Sequence, residues 1–436
     1  MRTQSATILL GNANYYGTLA AVRSLGRAGV KVVTVDPSII SAGRYSRYSS
    51  EHLTCPAFEN SSAWAEWLMQ QARTIGPRRT IYATSDAVSF ALARYRDELS
   101  PHFDLYQPTL DTIMSILDKG RLMLHAQAVG IETPATWFPE NGAEAAKIAK
   151  DVGGTVLIKP RSQLAQRTST KASVVTTDTA QSVFESYLRD QATNSEFAKQ
   201  CPASMTPVIQ EFHRQAIENV YSLSGFREKD SGGMIMRAAR KIVQQPRCTG
   251  TGLCFEPAVV DPLLADQASR LCERVGYYGV FELEFIFANG KAMLIDFNGR
   301  FYHQIALDIA RGMELPSLAY AAATKNQAEV ARLMALGSTD NHNDVAGFCN
   351  RFVLGMMVKM QRMFRTMSPK DAARWLSWSQ GSRGKIIDAV KDPHDAFPAF
   401  IEVTQRLWYA VRHPRSFVKQ YGLEGVQANT RDGAGL

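Results

Sequence analysis

The chain carries, at residues 278–304, the stretch YGVFELEFIFANGKAMLIDFNGRFYHQ, whose pattern predicts two strands joined by a tight turn. Apolar residues alternate with other residues on both sides of Asn289 and Gly290, and Asn-Gly is a preferred dipeptide of two-residue hairpin turns. We therefore expect a strand over residues 280–287 and a second strand over 291–298. The rest of the chain is interpreted around this hairpin.

Acidic and amide side chains fall together on the predicted hairpin. Successive side chains of a strand point to opposite faces, so Glu282 and Glu284 share a face, as do Asp296 and Asn298. The tight turn allows Glu284 and Asp296 to lie opposite each other. Close carboxylates repel unless a cation lies between them, and oxygen ligands suit Mg²⁺ or Mn²⁺. The alternative is a solvated face on which acids occur by chance.

The run DFNGR at residues 296–300 resembles the metal-binding hairpin of the ATP-grasp superfamily. In that family an acid on one strand and an acid-x-Asn-x-Arg run on the next hold the metal ions that bridge ATP phosphates. The first acid of the run is usually Glu, and Asp is a shorter substitute. The resemblance implies ATP and Mg²⁺ or Mn²⁺ as cofactors, with Glu284, Asp296 and Asn298 as metal ligands. It also implies that Arg300 holds the reacting acyl group.

Two lysines and a polar loop upstream of the hairpin extend this resemblance. Lys119 lies in a helix predicted over residues 110–130, and Lys159 closes an apolar strand. The resemblance implies that both lysines reach ATP phosphates and that the loop 161–171, which ends in Lys171, closes over them. A surface lysine is the alternative for Lys119. The loop contains no glycine, so it would act through charge and hydroxyl groups more than through backbone N–H groups.

The middle of the chain supplies three further candidates. A strand predicted over residues 206–212 ends in Glu211 and Phe212, and a later basic strand carries Arg240. The resemblance implies that the backbone near Phe212 reads the adenine edge and that Glu211 meets the ribose. It implies that Arg240 contacts the transferred phosphate or the acyl group. A solvated basic strand is the alternative for Arg240.

The beginning of the chain has a β-α-β pattern that predicts a parallel sheet of the doubly wound kind. A strand at residues 6–11 precedes a helix and a second strand at 30–35. Gly11 and Gly17 are too far apart for the GxGxxG fingerprint, which disfavours an NAD-dependent oxidoreductase.

A polar pair, Ser85 and Asp86, follows a further predicted strand at residues 79–84. Polar residues at the carboxyl end of a parallel strand are often ligand contacts, but Ser and Asp are also common helix N-caps. Both interpretations stay open for this pair.

Composition indicates a soluble globular protein of 436 residues with 45% apolar and 21% charged residues. Six cysteines lack metal-ligand spacing, and neither a leader segment nor a membrane-spanning run is evident, so we expect a cytoplasmic protein. No nucleic-acid partner is expected. Residues 351–436 hold fourteen Lys and Arg against seven Asp and Glu, or +7 of the net charge of +8. This basic, Met- and Trp-containing segment predicts a packed cap, an oligomer contact or peripheral membrane contact, and we favour the first two.

The sequence therefore predicts an α/β protein of three parts. They are an N-terminal Rossmann-like domain at residues 1–108, a split ATP-grasp domain at 109–330 and a basic, mostly helical extension at 331–436. The resemblance implies an ATP-dependent ligase that joins a small-molecule carboxylate to an amine through an acyl phosphate and releases ADP and phosphate. The alternative is a nucleotide-binding regulatory module with this fold and no turnover.

Overall fold

The computed structural model describes residues 7–74, 79–165, 171–189, 193–214, 217, 219–245, 249–340, 344–381 and 384–423. It contains three β-sheets with helices packed against them, so the mixed α/β class is confirmed. None of the helices in these ranges is long and apolar enough to cross a membrane.

The N-terminal sheet is fully parallel, as the β-α-β pattern predicts. Its strands are β1 Thr7–Leu10, β2 Lys31–Asp36, β3 Ser49–Thr54, β4 Arg79–Tyr82 and β5 Phe103–Leu105. They lie in the order β3-β2-β1-β4-β5. Because the order changes direction between β1 and β4, the carboxyl ends of these strands flank a crevice of the kind in which α/β proteins bind ligands.

Two further sheets follow, and most of their strands pair antiparallel. The small sheet, in the order β6-β9-β7-β8, is built from β6 Thr136–Trp137, β7 Val156–Lys159, β8 Ser173–Val175 and β9 Val208–Glu211. The central sheet is built from β10 Val220–Arg227, β11 Met234–Gln245, β12 Thr251–Ala258, β13 Gly279–Ala288, β14 Lys291–Asn298, β15 Val345–Cys349 and β16 Lys385–Asp388. Its order is β14-β13-β10-β11-β12-β15-β16, and only β15 and β16 pair in parallel among these strands.

The helices cover these sheets. They are α1 Tyr16–Arg27, α2 Ser61–Thr74, α3 Asp86–Arg94, α4 Arg96–Leu99, α5 Leu110–Leu117, α6 Lys119–Ala128, α7 Gly142–Val152, α8 Thr177–Arg189, α9 Ser195–Gln200, α10 Pro262–Val275, α11 Ile305–Ala310, α12 Leu315–Ala323, α13 Gln327–Gly337, α14 Arg351–Met363, α15 Pro369–Ser379, α16 Phe397–Arg412 and α17 Pro414–Val418.

The predicted hairpin is confirmed as β13 and β14. Asn289 and Gly290 have φ values of 53° and 75°, a conformation that strains most residues with a side chain, which explains the Asn-Gly pair. The ladder is irregular after Glu284, because Phe285 pairs with Leu294 whereas Glu284 pairs with Asp296. This bulge adds one residue to β14 and thereby keeps Asp296 on the same face as Glu284.

The single helix predicted over residues 110–130 is wrong, because Asp118 interrupts it. Asp118 has the extended backbone angles φ −89° and ψ 112°, and its side chain accepts a hydrogen bond from the backbone N–H of Arg121. The same carboxylate accepts a hydrogen bond from Arg161 Nε at 2.7 Å. The interruption places Lys119 at the first position of α6 instead of in the middle of a long helix.

The C-terminal segment packs against the central sheet and against α1 of the N-terminal region. Met357 of α14 is buried in an apolar cluster with Trp375 and Trp378, and Met356 and Met360 are partly buried against it. The inner face of α14 is therefore packed against the rest of the chain, and the role of the segment as a cap, oligomer contact or membrane contact stays a prediction. Trp408 of α16 is instead 64% exposed, so the outer face of α16 is not covered by the described residues.

Candidate active site

A cleft beside the hairpin collects the predicted site residues other than Arg240. Its lining includes Lys119, Lys159, Lys171, Glu211, Phe212, Glu284, Asp296, Asn298 and Arg300. Asp86, Gln210 and Lys241 line the same cleft. The central sheet supplies the hairpin carboxylates, the small sheet supplies Lys159 and Glu211, and the first residue of α6 is Lys119.

Glu284 and Asp296 of the hairpin are each paired with a lysine from another element. Lys241 Nζ, on β11, lies 2.8 Å from Glu284 Oε1. Lys119 Nζ, on α6, lies 3.2 Å from Asp296 Oδ1. These cations offset the repulsion between two carboxylates that are direct cross-strand partners.

The lysines also keep both carboxylates ionised. Burial alone would raise the pKa of Asp296, but nearby lysines, Lys119 foremost, hold that pKa well below its usual range. Burial likewise opposes ionisation of Glu284, and Lys241 is the main group that lowers its pKa. Ionised carboxylates are the form that binds a metal ion.

The donor atoms at this point fit a hard divalent cation. Glu284, Asp296 and Asn298 offer only oxygen ligands, which Mg²⁺ and Mn²⁺ prefer. Within the described ranges no group of three or more His, Cys, Asp or Glu side chains is arranged to hold a metal ion. Phosphate oxygens commonly complete the coordination of Mg²⁺ in nucleotide sites.

Lys159 is a buried lysine beside these ion pairs. It is 7% exposed, and its Nζ donates a hydrogen bond to Gln210 Oε1 at 2.7 Å. Burial, and next the positive charge of Lys119, lower the pKa of Lys159 to about 7. Since this hydrogen-bond partner is an uncharged amide, an anionic ligand such as a phosphate would stabilise the protonated lysine.

Arg300 links the hairpin to the N-terminal sheet. Its Nε donates to Asp86 Oδ1 at 2.6 Å, and its Nη2 donates to Asn298 Oδ1 at 2.8 Å. Its Nη1 donates to Tyr15 Oη at 3.3 Å. Ser85 caps α3 by accepting from the backbone N–H of Val88. The helix N-cap interpretation is therefore confirmed for Ser85, whereas a ligand contact at Asp86, which lines the cleft, stays a prediction.

The cleft also has an apolar lining. Leu157, Ile217, Ile286 and Ile295 contribute to it together with Phe212. Glu211 is partly exposed, and its backbone N–H is used in a bond to Ala135 O at 2.9 Å. Apolar side chains of this kind are the usual lining of small-molecule pockets. Five residues of the loop 161–171, numbers 166–170, lie outside the described residues, whereas Lys171 lines the cleft.

The structure does not bring Arg240 to the cleft. Along β10, β11 and β13, Ser222 pairs with both Ala239 and Glu284, so Lys241 shares the face of Glu284. Arg240 pairs with Tyr221, lies on the opposite face and is exposed. The predicted contact of Arg240 with the transferred group does not agree with this position. Sequence reasoning missed Lys241 because the choice between adjacent basic residues depends on strand register.

No protein-family model matches the chain, and no curated protein matches it. Solved structures do match. The biotin carboxylase of Campylobacter jejuni, solved as a β-γ-ATP complex, has a TM-score of 0.55 and 16% identity over 73% of this chain and 71% of its own. The N5-carboxyaminoimidazole synthetase of Staphylococcus aureus has a TM-score of 0.50 and 14% identity over 73% of this chain and 77% of its own.

The chain has the ATP-grasp fold. A third match supports this, the biotin carboxylase domain of 2-oxoglutarate carboxylase from Hydrogenobacter thermophilus, in complex with MgADP, ADP and bicarbonate. Its TM-score is 0.56, with 16% identity over 73% of this chain and 69% of its own. The resemblance predicted from the hairpin and the lysines is confirmed for the fold. At these identities, the activity has to be argued from the site.

Proposed function

We propose that this chain is an ATP-dependent ligase that joins a small-molecule carboxylate to an amine through an acyl phosphate. The observation that carries the proposal is the layout of the cleft. Lys119 and Lys241 pair with two ionised carboxylates, Lys159 lines the same cleft, and so do the aliphatic side chains of Leu157, Ile217, Ile286 and Ile295. A polyanionic triphosphate joined to a flat base matches this combination of charged and apolar lining.

The first step would be transfer of the terminal phosphoryl group. A carboxylate oxygen of the substrate attacks the γ-phosphorus, the bond from that phosphorus to the β,γ-bridging oxygen breaks, and ADP leaves. Lys119 and Lys159 would neutralise the phosphate oxygens, and Glu284, Asp296 and Asn298 would hold Mg²⁺ or Mn²⁺. That cation, when bound, supplies charge neutralisation and alignment of the phosphates.

The second step would form the product bond. The amine nitrogen attacks the acyl carbon, the bond from that carbon to the phosphate-bearing oxygen breaks, and inorganic phosphate leaves as the amine loses a proton. Arg300 has hydrogen bonds from Nε, Nη1 and Nη2, so its guanidinium is held in one orientation at the edge of the cleft. We assign contact with the acyl group to Arg300 and Lys241, and no longer to Arg240.

The similar solved structures support this reaction class. Their ligands include β-γ-ATP, MgADP and bicarbonate, which is itself a small acid. We further propose that residues 1–108 form a Rossmann-like domain, that 109–330 form the split ATP-grasp domain and that 331–436 are an extension to it. The parallel order β3-β2-β1-β4-β5 supports the first of these assignments.

The test is a screen of carboxylic acids with ATP and Mg²⁺ in the presence of hydroxylamine. An acyl phosphate reacts with hydroxylamine to give a hydroxamate, so the true acid should yield hydroxamate and ADP without its natural amine. Formation of AMP and pyrophosphate instead would refute the proposed mechanism. An Asp296→Asn variant controls for contaminating enzymes, since its hydroxamate formation should fall to background.

The rival proposal is a regulatory module without turnover. It is supported by Asp296, whose side chain is shorter than the usual Glu, and by the absence of glycine from the sequence of the loop 161–171. It predicts tight ATP binding and no ADP with any acid and amine of a broad screen. The ionised pair of Glu284 and Asp296 favours turnover, because a site for binding alone gains little from two carboxylates beside a triphosphate.

A further inference from the structure

The outer face of α16 is an exposed apolar surface. Five side chains on this helix are more than half exposed, namely Phe397 54%, Phe400 62%, Leu407 60%, Trp408 64% and Val411 78%. Ile39 and Ile40 extend it, at 61% and 48% exposed, because Gln405 Nε2 donates to Ile40 O at 2.8 Å. We call these seven residues the α16 surface. A contiguous apolar patch of this kind on a protein usually marks an interaction site.

The helix that presents this surface is firmly held on its inner side. Glu402 is 4% exposed and accepts hydrogen bonds from Tyr16 Oη at 2.8 Å and from Arg406 Nε at 3.0 Å. Just before the helix, the buried Asp395 pairs with Arg23 Nε of α1 at 2.8 Å. The exposure of the apolar side chains is therefore a property of a packed helix and does not arise from fraying.

The rim of the α16 surface is basic. Arg44 donates from Nη1 to Ile39 O at 3.0 Å, and Arg412 lies 6.0 Å from the ring centre of Trp408. Arg415 and Lys419 follow on exposed positions. The only acidic residue within 37–48 and 396–423 is the buried Glu402. The charge that complements these basic side chains is negative.

We propose that the α16 surface docks on a lipid membrane that carries anionic headgroups. Large apolar side chains with a Trp at the edge enter the boundary between headgroups and acyl chains, and the basic rim attracts the negative surface. A second copy of the chain would instead bring two basic rims together without acids to pair them. Charge complementarity thus selects the membrane over self-association.

Docking would also bring the membrane beside a second cavity. This cavity of ≈ 630 Å³ is lined by Trp408 of the α16 surface and by Tyr15 and His303, which lie near Arg300. Its size is that of a small-molecule site. A membrane bound at α16 would therefore lie beside a cavity whose lining residue Tyr15 contacts Arg300 of the candidate active site.

The test uses the full chain and sedimentation with vesicles of phosphatidylcholine, with and without a quarter of phosphatidylserine. We expect binding to the anionic vesicles at low salt and a loss of several-fold or more between 50 and 500 mM NaCl, because salt screens exposed charges. The apolar variant Leu407→Ser/Val411→Ser should bind at least roughly tenfold more weakly. Its matched control, Leu124→Ser/Val259→Ser, alters two side chains that are 68% and 88% exposed on other elements.

Charge reversal gives the second arm. Arg412→Glu/Arg415→Glu should weaken binding by roughly tenfold or more, since each basic residue near an anionic surface contributes to attraction. Lys150→Glu/Arg189→Glu reverses two exposed charges elsewhere and should bind as the wild type does. Unchanged circular dichroism would establish that the variants are folded, as expected for exposed positions.

Three results would overturn the proposal. The first is no binding to anionic vesicles at low salt, and the second is equal binding by the wild type and both α16 variants. The third is a dimer in sedimentation velocity that Leu407→Ser/Val411→Ser dissociates, which would assign the surface to a second copy.

Discussion

Replacing Lys159 by methionine should stabilise the free protein and, at the same time, remove most of its affinity for ATP. Methionine has nearly the length of lysine without the charge. Lys159 is 7% exposed and its Nζ has the neutral Gln210 as hydrogen-bond partner at 2.7 Å. A buried positive charge without an anionic partner destabilises the folded protein, and a bound anionic ligand would reduce this penalty.

The magnitude follows from the pKa of this lysine, which burial and Lys119 lower from 10.5 to about 7. A difference of about 3.5 between the two values corresponds to about 5 kcal/mol, at about 1.4 kcal/mol for each pKa unit. Methionine leaves Gln210 Oε1 without this donor, which costs about 1–3 kcal/mol. The net gain in the free energy of unfolding is then about 2–4 kcal/mol at pH 6.

The pH dependence has a definite sign. Between about pH 7 and pH 10.5 the unfolded chain holds the proton that the folded chain has lost, so the stability of the wild type rises with pH there. The gain in the free energy of unfolding from Lys159→Met is therefore fully present below pH 7. Above pH 10.5 only the differences in packing and hydrogen bonding remain.

Urea unfolding at pH 6 and pH 9, with ATP affinity from calorimetry, measures both effects. ATP affinity should fall by about 30-fold or more, as expected when one partner of a buried charge contact of about 2 kcal/mol is removed. Lys291→Met is the control, because Lys291 is an exposed lysine of the same hairpin that pairs with Glu132 at 2.8 Å. A destabilised Lys159→Met protein that binds ATP normally would refute the reasoning and make Lys159 a structural residue.

Three further outcomes test the site. Asp296→Asn should lower ADP formation by roughly a hundredfold or more and weaken its dependence on Mg²⁺, with little change in stability. Steady-state kinetics against metal concentration measures this effect. Wild-type turnover would show that Asp296 is not part of the metal site. Lys241→Met should lower kcat or ATP affinity by roughly tenfold or more whereas its neighbour Arg240→Met should not, and equal effects would contradict the register-based assignment. Arg300→Lys should reduce hydroxamate trapping more than ATP binding, because lysine cannot donate to both Asp86 and the substrate in the planar geometry of arginine; equal losses would place Arg300 at the nucleotide instead.

Local chemistry made the hairpin and the parallel sheet predictable. Asn289 and Gly290 adopt the positive φ values that the turn requires, and the alternation on either side sets the two strands. The β-α-β pattern predicted the parallel N-terminal sheet for the same reason, since each signal lies within a few neighbouring residues. The two candidate phosphate lysines were proposed from the resemblance to the ATP-grasp family.

The bulge in β14 was not predictable in this way. In a regular ladder with the same turn, Glu284 would face Ile295, and Asp296 would lie opposite Leu283 on the apolar side. The extra residue brings Asp296 opposite Glu284, so the paired carboxylates depend on a distortion that periodicity alone does not indicate.

The sequence by itself thus determined the elements, the turn and the residue types from which a phosphate and metal site can be built. The tertiary structure decided which residues meet. In the folded chain a helix ends before Asp118, and Lys241 instead of Arg240 lies beside Glu284. Arg300 pairs with Asp86, and the described residues do not cover the outer face of α16. The physical reason is that turns and periodicity act between near neighbours, whereas register and packing are settled between strands far apart in the chain.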